Sequence, residues 1–175
     1  MSEPLSRLLA GALLGRPLSV PAPAADPIAL EELAGSLARR SRRLLGRSLA
    51  IREVDAGSCN GCELEINALA NAIYDFERFG FRFVASPKHA DVLLVTGPVT
   101  LNMKIALERA YAVTPDPKWV VAAGDCAAGC GVFAASPVCV GKVRDVLPVD
   151  LHIPGCPPSP MALLRGLLAL VETVG

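Results

Sequence analysis

Ser48-Leu49-Ala50-Ile51-Arg52-Glu53-Val54-Asp55-Ala56-Gly57-Ser58-Cys59-Asn60-Gly61-Cys62 reads as a strand-length apolar run that breaks at glycine and delivers two cysteines. The same order of events returns twice. Trp119–Ala123 is followed by Gly124-Asp125-Cys126, and Leu147–Ile153 by Pro154-Gly155-Cys156. Two further runs, Phe81–Ala85 and Val92–Val95 before Gly97-Pro98, have the length and composition of strands. Between them, Leu64–Asp75 and Met103–Ala112 read as helices. Ser159-Pro160 supplies an N-cap and an N1 proline for a last helix reaching Thr173. Strands alternating with helices bury both faces of a parallel sheet. Five strands of this kind predict an α/β, flavodoxin-like doubly wound parallel sheet for residues 48–175.

Residues 1–47 differ. Pro4, Pro17, Pro21, Pro23 and Pro27 among Ala and Leu predict an extended arm whose structure is borrowed from partners. From Ile28 to Leu45, Leu30, Leu33, Leu37, Leu44 and Leu45 fall roughly at helical spacing, with Arg39, Arg40, Arg42, Arg43 and Arg47 crowding the C-terminal end. Cations suit that end of a helix dipole. The same pattern serves a solvated helix end or a helix that docks on a partner or a membrane surface. Residues 1–50 hold seven basic and four acidic side chains, so the positive charge of an otherwise neutral chain lies there.

The whole chain balances seventeen basic against seventeen acidic residues over 175 positions. It has no global field to draw nucleic acid and only Trp119 with a few Phe and Tyr to stack on bases, so nucleic-acid binding is not expected. With 52% hydrophobic residues it can bury one sizeable core. Leu8–Leu14 and Met161–Val171 are broken by Gly, Pro or Arg165 well short of the ~18 to 20 residues that span a bilayer. Ser41-Arg42-Arg43-Leu44-Leu45 has the shape of a twin-arginine export signal, but Gly46-Arg47-Ser48 and Arg52-Glu53 follow where an apolar core should begin. A cytoplasmic location is the expectation. Six cysteines in a domain of this size then read as ligands or buried thiols rather than disulfides.

Cys59, Cys62, Cys126 and Cys156 all follow strands, which places them on one edge of the sheet, where open α/β sheets bind ligands. Cysteines separated by 63 and 29 intervening residues can converge there without special folding. Four soft thiolates suit an iron–sulfur cluster or zinc and disfavour hard cations. A structural zinc site of two CxxC knuckles would need a second close pair, which Cys156 lacks. Gly57, Gly61, Gly124, Gly129, Gly131 and Gly155 around these cysteines let backbone amides approach bulky anionic sulfur, while Pro154, Pro157, Pro158 and Pro160 stiffen the last loop. Cys139, between Val138 and Val140, reads as a small buried hydrophobe. Cys130 lies in the loop of Cys126 and is either a structural thiol or an alternative ligand.

At these residues the chain resembles the small subunit of nickel–iron hydrogenases and its relative, the terminal-cluster subunit of respiratory complex I. The resemblance runs from about Asp55 to Leu170. It is carried by Gly57-Ser58-Cys59-Asn60-Gly61-Cys62-Glu63-Leu64-Glu65, Tyr74-Asp75-Phe76-Glu77-Arg78-Phe79-Gly80, Ser86-Pro87-Lys88-His89-Ala90-Asp91 and Thr96-Gly97-Pro98-Val99-Thr100. Gly124-Asp125-Cys126 and Pro148-Val149-Asp150-Leu151-His152-Ile153-Pro154-Gly155-Cys156-Pro157-Pro158 complete it. Cys130-Gly131 stands where relatives often carry paired glycines, and His152 where they often carry an aromatic or aliphatic residue.

The resemblance implies that Cys59, Cys62, Cys126 and Cys156 ligate a proximal 4Fe-4S cluster beside a large subunit that holds nickel and iron. The separated Cys59–Cys62 pair matches hydrogenases, whereas complex I relatives use adjacent cysteines. One helix without further cysteines after Cys156, where uptake hydrogenases continue into a second cluster-bearing domain, makes the resemblance point to energy-converting membrane-bound hydrogenases of the formate hydrogenlyase and carbon-monoxide-linked types. The implied partners are that large subunit, a ferredoxin-like polyferredoxin subunit and membrane-arm subunits. The implied place is the cytoplasmic face of the inner membrane. Rival readings are a quinone-reducing complex I-like cluster subunit, a zinc-stabilised structural subunit, and a thiol-redox protein using Cys59–Cys62 alone.

Overall fold

The computed structural model describes residues 27–174. The Pro-rich arm expected before Pro27 lies outside them. Helix α1 (Pro27–Leu45) leads into strand β1 (Leu49–Asp55). Then come α2 (Gly61–Ala68), β2 (Phe81–Phe83), β3 (Val92–Thr96), the short β4 (Val99–Thr100) and α3 (Leu101–Val113). The chain continues through β5 (Trp119–Ala123), α4 (Asp125–Gly129), β6 (Cys139–Gly141), β7 (Leu151–Ile153) and α5 (Pro160–Val174).

The main sheet has five parallel strands in the order β2-β1-β3-β5-β7. Counting only its own strands, that is the 2-1-3-4-5 order of the flavodoxin-like fold. Every residue of β3 is buried, as a central strand covered on both faces requires. One face packs Leu49, Ile51 and Leu94 against Ile66 of α2 and Leu163, Leu164 and Leu167 of α5. The other packs Val54, Leu93 and Val95 against Leu107 of α3 and against Val143 and Leu147. Alternate residues of one strand therefore feed opposite cores. Gly166 lets α5 lie close on β7, since a Cβ there would collide with the Ile153 side chain.

The start of the sheet is stapled by one buried carboxylate. Asp91 accepts from Arg47 Nη1 at 2.8 Å, Arg47 Nη2 at 2.6 Å and the Ala50 amide at 2.9 Å. It thereby joins the end of α1 and the first turn of β1 to the entry of β3. Helix α1 also packs on α5, with Leu33 against the core and Arg40 paired to Glu172 at 3.2 Å.

Three elements depart from expectation. The helix read over Leu64–Asp75 begins earlier, at Gly61, and stops at Ala68. Asn71 Oδ1 accepts from the Ile73 and Tyr74 amides at 2.8 and 3.0 Å and turns the chain, a side chain outcompeting the helical carbonyls. That turn drops Phe76 into the core, where its ring stacks 6.0 Å from Phe81. The run Leu147–Ile153 is a strand only from Leu151. Val143–Asp145 is a 3-10 turn, and Asp150 caps the neighbouring strand with its Oδ2 on the Val120 amide at 2.7 Å. Finally, β4 and β6 form a small antiparallel sheet that no periodicity announced.

Candidate metal centre

Each cysteine loop leaves the carboxyl end of a strand and is shaped by a few short-range bonds. At the end of β1, Asp55 Oδ1 accepts from the Gly57 and Ser58 amides, both at 2.7 Å, and Ser58 Oγ accepts from the Asn60 amide at 3.1 Å. These bonds curl the chain so that Cys59 projects from the loop and Cys62 falls in the first turn of α2. The loop lies directly on the β3–β4 turn. A Cβ on Gly97, whose φ is +71°, would strike the Ser58 backbone.

After β5, Gly124 turns at φ +91° and the five-residue α4 carries Cys126. A Cβ at Gly124 would sit 2.7 Å from Cys62 Sγ, so this glycine makes room for a sulfur from another loop. Gly131 does the same for Cys126 Sγ, again at 2.7 Å. The Val132 backbone amide opposes the rise of the Cys126 thiol. After β7, Gly155 precedes Cys156 and its amide donates to Asp125 Oδ1 at 2.8 Å.

The four cysteines predicted as ligands all line one recess of about 110 Å³, together with Ser58, Gly61, Gly97, Asp125, Gly155 and Pro157. Cys62 is buried at its floor, Cys126 is half-buried, and Cys59 and Cys156 are exposed at its mouth. Cys130 and Cys139 do not line it. Cys139 is half-buried on β6, where a small buried hydrophobe was expected, and Cys130 ends α4 with φ +63°. A larger cleft of about 290 Å³ lies elsewhere, lined by Lys142, Arg144 and His152, and contains none of the four thiols. His152 is placed by its Nε2, 3.2 Å from the Gly124 carbonyl.

The electrostatics say what the recess asks for. Burial, then Glu63, then the other three cysteines push the Cys62 thiol up to about 12. Burial and then Cys156 and Cys59 raise Cys126. Four thiolates cannot share this space unless a cationic core offsets their repulsion, as a bound metal does by inverting the local charge. Among the described residues no set of three or more His, Cys, Asp or Glu is arranged to hold a single metal ion. The four thiols share the lining of one recess. The donor set, the glycine cradle and the recess fit a four-thiolate iron–sulfur cluster.

Behind the floor lies an acidic patch that motif reading missed. Both carboxylate oxygens of Glu63 and the hydroxyl of Thr96 are buried without a hydrogen-bond partner among the described residues. Half-buried Glu53 is raised from 4.5 to about 6, first by desolvation, then by Glu63 and Asp55, with Arg52 opposing. The native state therefore holds the Glu53 proton more tightly than the unfolded chain. Stability falls as pH rises from 4.5 to about 6 and stays lower above that range. Glu53→Gln should stabilise the protein at pH 8 by roughly 1 kcal/mol after solvent screening, and by nothing below pH ~4.5. Urea titrations at both pH values check this; an equal gain at each would assign the effect to shape rather than charge.

Residues 59–170 match the model of the NADH ubiquinone oxidoreductase 20 Kd subunit family. A probable membrane-bound hydrogenase subunit of Pyrococcus furiosus is 47% identical over 130 residues, 74% of this chain and 78% of that protein. Formate hydrogenlyase subunit 7 of Escherichia coli is 41% identical over 149 residues, 83% of this chain but 58% of that longer protein. An NADH-quinone oxidoreductase subunit of Geotalea uraniireducens is 45% identical over 114 residues, 65% of this chain and 66% of that protein. Among solved structures, a chain of an archaeal membrane-bound sulfane sulfur reductase superposes with a TM-score of 0.65 at 32% identity, over 86% of this chain and 76% of that one.

Proposed function

Since the chain belongs to the NADH ubiquinone oxidoreductase 20 Kd subunit family, we propose that it is the electron-transfer subunit of a membrane-associated nickel–iron hydrogenase complex, with Cys59, Cys62, Cys126 and Cys156 holding the proximal 4Fe-4S cluster. The observation that carries the reading is the meeting of four thiols from three sequence-distant loops in one recess. A cluster bound there supplies reversible one-electron storage. The chain's own residues position and shield it: Gly124 and Gly131 admit the sulfurs, and Cys62 closes the floor. The subunit is non-catalytic, relaying electrons between a ferredoxin-like subunit and a nickel–iron large subunit that carries out reversible proton reduction.

The mouth of the recess suits a partner. Leu64, two residues beyond Cys62, is exposed, as are Val132, six residues beyond Cys126, and Leu101 and Ile105 on α3. Leu101 donates its amide to the Val138 carbonyl at 2.9 Å, which sets the exposed Val138 beside it. In this reading the large subunit covers these exposed apolar side chains and seals the exposed Cys59 and Cys156 from water. The rival, a complex I-like quinone oxidoreductase component, draws on the NADH-quinone oxidoreductase relatives but not on the Cys59–Cys62 spacing. Full-length protein matured with iron–sulfur machinery and purified without oxygen should be brown and carry about four irons per chain. Stoichiometric zinc without iron would reject the cluster.

Residues 1–47 are proposed as the docking element of the complex, on the cytoplasmic membrane face beside membrane-arm subunits. No described helix is long and apolar enough to cross a membrane. Arg39, Arg42 and Arg43 of α1 are exposed, and Arg39 and Arg43 line a polar cleft with Ser36 and Arg40. Near an anionic lipid surface each such cation contributes roughly 1 kcal/mol. Because α1 packs on α5, substitution is a cleaner test than deletion. Replacing Arg39, Arg42 and Arg43 together by Gln should leave iron content unchanged and release the protein from the membrane fraction; full retention would remove the helix from that role.

A further inference from the structure

We propose that Asp125 is a positioning residue that latches the Cys156 loop to the Cys126 loop and so sets the spacing of two ligands that lie on different strands. The inference rests on the cluster reading above.

The last ligand loop is poor in means of holding itself. In Pro154-Gly155-Cys156-Pro157-Pro158 three of five residues are prolines, so only Gly155 and Cys156 have an amide to donate. The strand before it, β7, is three residues long and lies at the edge of the sheet, paired on one side only. Cys156 itself is exposed. Neither a long ladder nor a helix dipole steadies this thiol.

What does hold the loop is a closed ring of two hydrogen bonds between residues that each adjoin a ligand. The Gly155 amide donates to Asp125 Oδ1 at 2.8 Å, and the Asp125 amide donates to the Gly155 carbonyl at 2.9 Å. The ladder just before it, Gly124 amide to Ile153 carbonyl at 2.8 Å, runs straight into this ring. The register of β5 against β7 is thereby carried past the strand ends to Cys126 and Cys156. The backbone half of the ring survives substitution of Asp125 by Asn or Ala, which keep the amide. Its side-chain half takes up one of only two amides the loop possesses, through an Oδ1 acceptor that an Asn side chain would also supply.

Asp55 plays the corresponding part at the first ligand pair, with its Oδ1 on the Gly57 and Ser58 amides. There the start of α2 already fixes Cys62. At Cys156 no helix helps, which makes Asp125 the more consequential of the two carboxylates.

Two variants separate position from charge. Asp125→Asn removes the charge but keeps an Oδ1 that accepts from Gly155; Asp125→Ala removes the acceptor. Hydrogen exchange at the Gly155 amide, measured on full-length protein with the cluster removed by chelation, should rise about tenfold in Asp125→Ala and little in Asp125→Asn. On loaded protein, Asp125→Ala should lose iron to a chelator about tenfold faster and show an altered electron-paramagnetic-resonance line shape, while Asp125→Asn stays close to the parent. Unchanged Gly155 exchange in Asp125→Ala, or equal effects of both variants on exchange and line shape, would overturn the latch. Wild-type protein that takes up no iron would instead defeat the cluster reading. The exchange comparison would still decide whether Asp125 holds the loop.

Discussion

Serine at Cys59, Cys62, Cys126 or Cys156 should cut the iron content from about four per chain toward zero, or leave a distorted cluster with changed spectra. The hydroxyl is a harder and far less acidic donor than the thiol, so it replaces a soft ligand poorly. The effect should be largest at Cys62. Its sulfur sits at the buried floor against Gly124, where water cannot substitute for the missing ligand. Cys139→Ser should keep its iron, since Cys139 is half-buried on β6 away from the recess. Cys130→Ser should keep it as well, because Cys130 closes the end of α4 and does not line the recess. Iron analysis and visible spectra of the six single variants, prepared without oxygen, provide the measurement. A Cys130→Ser protein without iron beside a fully loaded Cys126→Ser protein would move the ligand from one residue to the other.

The second large effect concerns the fold rather than the centre. Asp91→Ala should destabilise the protein by about 3 to 4 kcal/mol. The buried carboxylate accepts three hydrogen bonds, two from the Arg47 guanidinium and one from the Ala50 amide. Arg47 is half exposed and can return to water, so its share is modest. The Ala50 amide is buried and cannot, and an unsatisfied buried donor costs about 1 to 3 kcal/mol. Asp91→Asn keeps one acceptor and should cost roughly half as much. Urea unfolding of the two variants beside the parent gives the difference. A loss below about 1 kcal/mol for Asp91→Ala would show that the sheet entry is held by its apolar contacts alone.

The parallel α/β sheet and the gathering of four cysteines on one edge were legible in the residues themselves. Val92–Val95 and Trp119–Ala123 are short apolar runs of the kind a doubly covered strand carries, and chain direction then places whatever follows each strand on the same edge. Local chemistry was enough because the information lies within a few residues: an apolar run, a glycine, a thiol. The last helix was equally plain, with Ser159 Oγ accepting from the Ala162 amide at 3.3 Å where an N-cap was read.

Other features belong to the tertiary structure alone. Asn71 ended a helix that its apolar spacing would have continued, because side-chain competition for amides is settled by local backbone geometry. Asp91 and Asp125 gain their roles from partners 44 and 30 residues away, and Asp125 looks in the sequence like any acid beside a cysteine. The raised Glu53 depends on its burial and on the nearby charges of Glu63 and Asp55, and Glu63 is left without a hydrogen-bond partner among the described residues only once α2 is folded. Hydrophobic periodicity determines which face of an element is covered. Which polar atom meets which, across elements remote in the chain, is decided only when those faces close, because a hydrogen bond requires an approach of about 3 Å that sequence spacing does not encode.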